Sequence, residues 1–258
     1  MLELLQFRHS PYNEKVRWVL DIKHVPHRRR SLLPGPHLVS VKRLTGRTTT
    51  PVLLHDGTAL DGSANIVAWL ETHYGAPAVM PADLALREEA LRIQRWFDDD
   101  LTPRIRRTVL DALLRQPGYF ARVFADGAPA LERLLYACVV PFAAPLVRKG
   151  NGITGAAAVD DGHLAAREAL KFVAERSAAT GYLCGDTLSL ADITAASTLA
   201  VLIRPADSPM SCPEPVARSF RQLMGRYADH PAAAWVRRVY EQHRGARVDF
   251  DGPSPGVT

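Results

Sequence analysis

The first seventy-five residues alternate between short apolar runs and stretches with apolar positions at helical spacing. Runs of that kind suit buried strands, and apolar positions three and four apart suit one face of a helix. The predicted strands lie at 2–7, 27–33, 52–54 and 58–60, and the predicted helices lie at 11–25, 37–44 and 63–75. Asp56-Gly57, between the last two strands, is a strong hairpin signal. This order predicts an α/β unit with a mixed four-stranded sheet.

From residue 84 onward the pattern is helical and no strand is predicted. The apolar segment 188–203 is expected to be the most buried helix. The apolar run 136–147 contains Pro141 and Pro145, which we expect to interrupt a helix and keep the run shorter than a membrane span. We therefore predict four parts: an α/β domain at 1–76, a linker at 77–85, an all-helical domain at 86–246 and a flexible tail at 247–258.

Ser10 and Pro11 mark the start of the first helix, directly after the first strand. Serine is a preferred N-cap and proline a preferred first helical residue. Free backbone N–H groups and the helix dipole stabilise an anion at such a place, and a thiolate is an anion of this kind. The alternative is that Ser10 only caps the helix. Thr50-Pro51 leads into a core strand, where the proline is either cis in a tight turn or trans at the first strand position.

Composition narrows the function classes without choosing one. The chain has 258 residues, 47% of them hydrophobic, and a net charge of +5. The basic clusters at 27–30 and 104–107 lack interleaved aromatic residues, so we predict no nucleic-acid binding. The three widely separated cysteines indicate neither a disulfide framework nor a metal site. The first residues lack the pattern of a signal peptide, so we expect a cytoplasmic protein without a membrane segment.

An α/β unit followed by a helical domain resembles the glutathione transferase family over nearly the whole chain. Ser10-Pro11-Tyr12-Asn13 resembles the Ser-Pro turn that many of its members carry, and Thr50-Pro51-Val52-Leu53 resembles its cis-proline turn. Ser63-Ala64-Asn65-Ile66 resembles the motif that opens its third helix. Gly185-Asp186-Thr187-Leu188-Ser189-Leu190-Ala191-Asp192 resembles its buried N-capping box, in which Ser189 and Asp192 satisfy backbone donors.

The resemblance implies a serine-type enzyme that uses glutathione as co-substrate and needs no metal. Ser10 would steady the glutathione thiolate, which attacks a small hydrophobic electrophile. Thr50, Pro51 and Ser63 would hold glutathione, and Arg47 would meet its glycine carboxylate. Family members usually carry an acidic residue or glutamine directly before the serine, where this chain has Gly62, so Asp61 is expected to take over the contact with the ammonium group.

The electrophile pocket is assigned to Tyr12, Arg104 and Arg107, and the resemblance implies a homodimer. Tyr12 is expected to be a packing or rim residue rather than the thiolate donor. Because the residue before Ser63 departs from the family pattern, a second hypothesis stays open. It is a non-catalytic ligand-binding or interaction protein on the same fold.

Overall fold

The computed structural model describes residues 2–244 and 252–253. Its first part is a mixed sheet covered by helices, as the sequence pattern predicts. The elements in chain order are β1 (Leu2–Gln6), α1 (Pro11–Ile22), β2 (His27–Ser31), α2 (His37–Thr45), β3 (Val52–His55), β4 (Thr58–Asp61) and α3 (Ser63–His73). The structure therefore confirms the predicted α/β fold class.

Strand β1 lies inside the sheet, between β2 and β3. Leu4 is paired with Arg29 in parallel β2 and with Leu53 in antiparallel β3. Strands β3 and β4 form the predicted hairpin, in which Asp56 and Gly57 both have positive φ angles, 45° and 81°. Positive φ at both central residues is the geometry that Asp-Gly favours in a two-residue hairpin.

The four predicted strands of the first part are all present, and a fifth strand from the end of the chain adds to the sheet. Strand β5 (Gly252–Pro253) pairs antiparallel with β2, which gives the order β4-β3-β1-β2-β5. The predicted tail at 247–258 therefore contributes two residues to a sheet edge, and its other residues lie outside the described part. A two-residue strand has no periodicity, so the sequence pattern carried no signal for it.

The second part is helical. Its helices are α4 (Leu84–Trp96), α5 (Thr102–Leu114), α6 (Pro117–Phe124), α7 (Ala130–Gly150), α8 (Ala156–Arg176), α9 (Leu190–Ile203), α10 (Arg218–Gly225) and α11 (Pro231–His243). A π-helical turn, Phe97–Leu101, joins α4 to α5. All residues of α9 are buried, as predicted. Ser189 and Asp192 form a capping box at its start, where the Asp192 carboxylate accepts the backbone N–H of Ser189 at 2.9 Å.

Helix α7 contradicts the prediction that its two prolines interrupt it. The helix runs unbroken through Pro141 and Pro145, and both lie on its exposed side, where water can bond the carbonyls that proline leaves without a partner. Only 17% of its most apolar window is buried, and Phe142 is 87% exposed. By length and composition this helix is able to cross a membrane, whereas the sequence predicts an apolar run shorter than a membrane span. One such helix does not by itself indicate a membrane protein.

Helix α1 carries a buried ionic network that the sequence pattern did not indicate. The Glu14 carboxylate, with no exposed surface, accepts Nε–H of Arg17 at 2.9 Å and Nε–H of Arg244 at 2.7 Å. Arg244 also donates to Asp21 at 3.0 Å. Burial alone would raise the pKa of Glu14, but the guanidinium groups of Arg244 and Arg17 outweigh it and leave that pKa below its usual value. The network joins α1 to the end of α11.

Candidate functional site

A cleft of about 1210 Å³ lies between the α/β unit and the helices of the second part. Most of the predicted glutathione site lies on the α/β side of this cleft. The predicted residues that line it are Ser10, Tyr12, Arg47, Thr50, Pro51 and Ser63. The structure therefore brings together the turns before α1, β3 and α3, which are far apart in the sequence.

Ser10 is the N-cap residue of α1, and its backbone has extended geometry with φ of −109° and ψ of 127°. Its carbonyl oxygen accepts the N–H of Glu14 at 2.9 Å, the bond that opens the helix. Within the described residues, the Ser10 hydroxyl makes no capping hydrogen bond to the backbone. Ser10 lines the cleft, and the alternative in which its side chain caps the helix has no hydrogen bond to support it in the described residues.

The turn before β3 is anchored on α1. The Thr50-Pro51 bond is cis, which settles the choice that the sequence left open. Asn13 of α1 is buried, and its Nδ2 donates to the Thr50 hydroxyl at 3.1 Å. The Pro51 carbonyl accepts the N–H of Gly62 at 3.3 Å. These two bonds fix the cis-proline turn against both helix starts.

Helix α3 begins at Ser63, and its N-cap is Gly62, with φ of 85°. Ser63 is buried and lines the cleft from the first helical position. Arg47 Nε lies 3.3 Å from Asp61 Oδ2, so two predicted glutathione contacts pair with each other. Asp61 is not among the described residues that line the cleft, and only Arg47 of this pair reaches it.

Tyr12 lines the cleft, but its hydroxyl is already engaged. It donates to the carbonyl oxygen of Asp98 at 2.7 Å, in the π-helical turn between α4 and α5. The Asp98 carboxylate binds Lys15 Nζ of α1. Burial raises the pKa of the Tyr12 phenol, so it stays protonated at neutral pH. Tyr12 therefore fixes the π-helical turn against α1.

Arg104 and Arg107 correct the predicted electrophile pocket, because neither is among the described residues that line the cleft. Arg104 Nη2 lies 2.7 Å from Asp161 Oδ1 of α8, and Arg107 Nη1 lies 3.2 Å from Asp161 Oδ2. Both arginines therefore connect α5 to α8, on the side away from the cleft. The arginine of α5 that does line the cleft is Arg106.

The far wall of the cleft is mainly apolar. Its apolar residues from the helical part include Ile105, Val109, Leu110, Leu113, Phe120, Phe124, Leu135, Val139, Val140, Leu146 and Val201. Tyr136, on the buried side of α7, donates its hydroxyl to the Pro34 carbonyl at 3.0 Å. This bond ties α7 to the loop before α2. The wall thus offers a large surface for an apolar ligand.

Two further residues of the cleft, His9 and Arg204, were not singled out as cleft contacts from the sequence. Arg204 ends α9, and its Nη1 donates to the Met210 carbonyl and lies 3.5 Å from His9 Nδ1. Burial and the charge of Arg204 together hold the pKa of His9 well below its usual value. His9 is therefore neutral beside Ser10 at physiological pH. The described residues contain no cluster of three or more His, Cys, Asp or Glu side chains that could hold a metal ion.

Comparison with known sequences places both parts of the chain in one family. Residues 4–78 match the profile described as glutathione S-transferase, N-terminal domain, and residues 135–225 match that described as glutathione S-transferase, C-terminal domain. Maleylpyruvate isomerase from Ralstonia sp. is 28% identical over 120 residues, which are 45% of this chain and 57% of that protein. The match therefore spans little more than half the length of that curated relative.

Solved structures show the same fold. A glutathione S-transferase from Rhodospirillum rubrum F11 has a TM-score of 0.59 and 21% identity, over 95% of this chain and 89% of that one. A glutathione S-transferase from Methylobacillus flagellatus KT, solved with glutathione bound, also has a TM-score of 0.59. It is 17% identical over 94% of this chain and 98% of the other.

Proposed function

The chain belongs to the glutathione S-transferase family, and from that premise we propose that it binds glutathione and activates the thiol for attack on an electrophile. The observation that carries this proposal is that Ser10 lines the cleft at the start of α1 and that its hydroxyl makes no capping bond. A hydroxyl in that position donates a hydrogen bond to a thiolate. The helix dipole acts in the same direction.

The other proposed contacts with glutathione lie in the turns before β3 and α3. The backbone at Thr50 and Pro51 would meet the cysteinyl part, next to the thiol. Ser63 and the first N–H groups of α3 would hold the γ-glutamyl carboxylate, because free backbone donors at a helix start favour an anion. Arg47 would bind the glycine carboxylate, for which it must loosen its ion pair with Asp61. Asp61, released from Arg47, would then be free for the ammonium group.

The chemistry needs one proton transfer and one nucleophilic attack. The glutathione thiol loses its proton to solvent, and the thiolate accepts the hydrogen bond of Ser10. The sulfur then forms a bond to the electrophilic carbon, and the leaving group departs with its electron pair. A hydrogen bond to a charged group contributes about 1.5–3 kcal/mol, which corresponds to about 1–2 pKa units below the free value of about 8.5 for a cysteine thiol.

Ser10→Ala tests the proposal, with Ser40→Ala on an exposed part of α2 as the matched control. We expect glutathione still to bind Ser10→Ala, with the pKa of its thiol raised by about 1–2 units. The ultraviolet absorbance of the thiolate measures this pKa. The rate with an activated chloroarene should fall about 10-fold or more at neutral pH. Ser40→Ala should change neither quantity.

The same measurements separate this proposal from a non-catalytic protein on the same fold. An unchanged thiol pKa in Ser10→Ala would remove Ser10 from the mechanism. Failure of the folded parent chain to bind immobilised glutathione would instead favour the non-catalytic hypothesis.

We also propose a cytoplasmic homodimer that takes up a small-molecule electrophile, as members of the family do. The exposed apolar side chains of α7 offer a face for a second copy, because large exposed apolar patches mark interaction surfaces. They include Leu131, Leu134 and Phe142. Light scattering on the purified chain tests this: a monomer at micromolar concentration would contradict it.

A further inference from the structure

We propose that Arg106 binds an anionic group of the electrophile, so that the second substrate is an apolar molecule that carries a carboxylate. This inference rests on the proposed function, because it concerns the part of the cleft beyond the glutathione thiol. It assigns a specificity-determining residue and a chemical class to that part.

Arg106 lies on the face of α5 that is turned to the cleft. Thr102, Val109 and Leu113 lie four, three and seven positions from Arg106, and Ile105 lies three positions from Thr102 and four from Val109, so all of them are on the side of the helix that lines the cleft. Four of these five side chains are uncharged, so the guanidinium of Arg106 is the one charge of this face. A charge among apolar neighbours interacts strongly with an opposite charge, because little water screens it.

The guanidinium of Arg106 has no acid to pair with among the described residues. Its Nε is buried and has no hydrogen-bond partner. Arg104 and Arg107, on the other side of the same helix, both have Asp161 as an ion-pair partner. A buried donor without an acceptor is rare in folded proteins because it is costly. A carboxylate supplied by a ligand would give Arg106 the acceptor that the chain does not.

The acids that face the cleft do not take this role. The Asp98 carboxylate is bound by Lys15. Asp99 is exposed and forms no ion pair with Arg106 in the described part of the chain, and Glu132 lies on α7. Arg204, the other arginine of the helical wall, also has a buried Nε without a partner, but its Nη1 donates to the Met210 carbonyl and lies 3.5 Å from His9 Nδ1. In the part of the chain that the structure describes, Arg106 is the arginine of this wall whose guanidinium makes no hydrogen bond or ion pair.

Arg106 lies in the first half of α5, and both Arg106 and Tyr12 line the cleft. Tyr12 donates its hydroxyl to the Asp98 carbonyl, in the π-helical turn that leads into α5. Tyr12 is two residues from Ser10. A substrate carboxylate on Arg106 would hold the electrophilic carbon near the thiolate, while the apolar body lies against α5 and α7. Planar guanidinium groups bind carboxylates with two parallel hydrogen bonds, which also fixes orientation.

Two glutathione conjugates test the assignment without knowledge of the natural electrophile. S-hexylglutathione and S-carboxypentylglutathione have chains of similar length, and only the second ends in a carboxylate. We expect calorimetry on the parent chain to give at least 10-fold tighter binding of the carboxylate conjugate at neutral pH. Arg106→Gln should abolish this preference and leave the affinity for S-hexylglutathione unchanged. Arg107→Gln, on the opposite side of α5, should retain it.

Each outcome decides the matter. Equal binding of the two conjugates to the parent chain would overturn the inference and leave the proposed thiol activation intact, and it requires no variant to fold. A preference that survives in Arg106→Gln would also overturn it. Arg106→Lys keeps the charge without the planar fork, so it should keep part of the preference. Equal weakening of both conjugates in Arg106→Gln would indicate a packing role only and would overturn the inference. If neither conjugate nor glutathione binds, the proposed function fails together with this inference.

Discussion

Glu14→Gln tests the buried network that holds α1. The substitution keeps the size of the side chain and removes its charge, so Arg17 loses the Glu14 carboxylate and Arg244 keeps Asp21 of the two carboxylates that it binds. Removing one partner of a buried ion pair costs about 3–5 kcal/mol, because the charge that remains is less well compensated. The free energy of unfolding of a protein is about 5–15 kcal/mol, so the loss is a large fraction of the whole.

Urea unfolding of both chains, followed by tryptophan fluorescence, measures the difference. Glu89→Gln is the matched control, because Glu89 and Arg92 form a pair with the same residues and the same spacing on the surface of α4. Solvent screens that pair, so its loss should cost about 1 kcal/mol or less. A loss below about 1 kcal/mol in Glu14→Gln as well would refute the reasoning, since burial would then make no difference.

Acid should remove the advantage of Glu14. The folded-state pKa of Glu14 lies below its unfolded value of about 4.3, so the ionised carboxylate stabilises the fold fully only above that value. As the pH falls below about 4.3 toward the folded-state pKa, the contribution is lost progressively. The difference in unfolding free energy between the parent chain and Glu14→Gln should therefore shrink over that range. A difference that stays constant down to about pH 3 would contradict a folded-state pKa of Glu14 below its unfolded value.

Two further substitutions test the packing of the helical part by urea unfolding. Gly162→Ala should destabilise the fold by about 1–3 kcal/mol, because a Cβ there would lie 2.5 Å from the Arg104 carbonyl oxygen. Gly118→Ala on α6 is its control: a Cβ at that position has no atom within 4 Å, so the substitution should stabilise the fold by about 0.5–1 kcal/mol. A stabilising Gly162→Ala would contradict the close approach of α8 to α5. Asp192→Ala should cost at least about 1–3 kcal/mol, because it leaves the buried N–H of Leu183 without its acceptor at 2.8 Å. A neutral effect would argue against that bond.

The parts of the fold with local signals were predictable from the sequence. The hairpin at Asp56-Gly57 depends on two residues that accept positive φ, and α9 depends on a capping box followed by an apolar run. The ionic network on α1 was not predictable. Glu14 and Arg17 read as the polar side of an amphipathic helix, and their partner Arg244 lies 230 positions from Glu14. No local pattern reports a contact of that separation.

The candidate site also has residues that local sequence signals predicted and residues that they did not. Ser10, Thr50 and Ser63 sit at turns whose sequences mark them, and all three line the cleft. On α5, the family resemblance suggested Arg104 and Arg107, because the corresponding helix of the family lines the electrophile pocket, but both pair with Asp161 of α8. The helical spacing of Arg106 with Thr102 and the apolar residues Val109 and Leu113 was the signal that separates it from them. Position on the helix, and not residue type, decided which arginine faces the cleft.

The link between Glu14 and Arg244 has a consequence for how the protein is made. The ribosome releases α1 early, but the arginine that completes the charges of this helix is translated 230 residues later. Until then Glu14 has Arg17 as a partner on the same helix but lacks Arg244, so the cost of burying its charge is compensated only in part. The final seating of the helix that carries Ser10 is therefore expected to be among the last steps of biogenesis, after nearly all of the polypeptide has emerged.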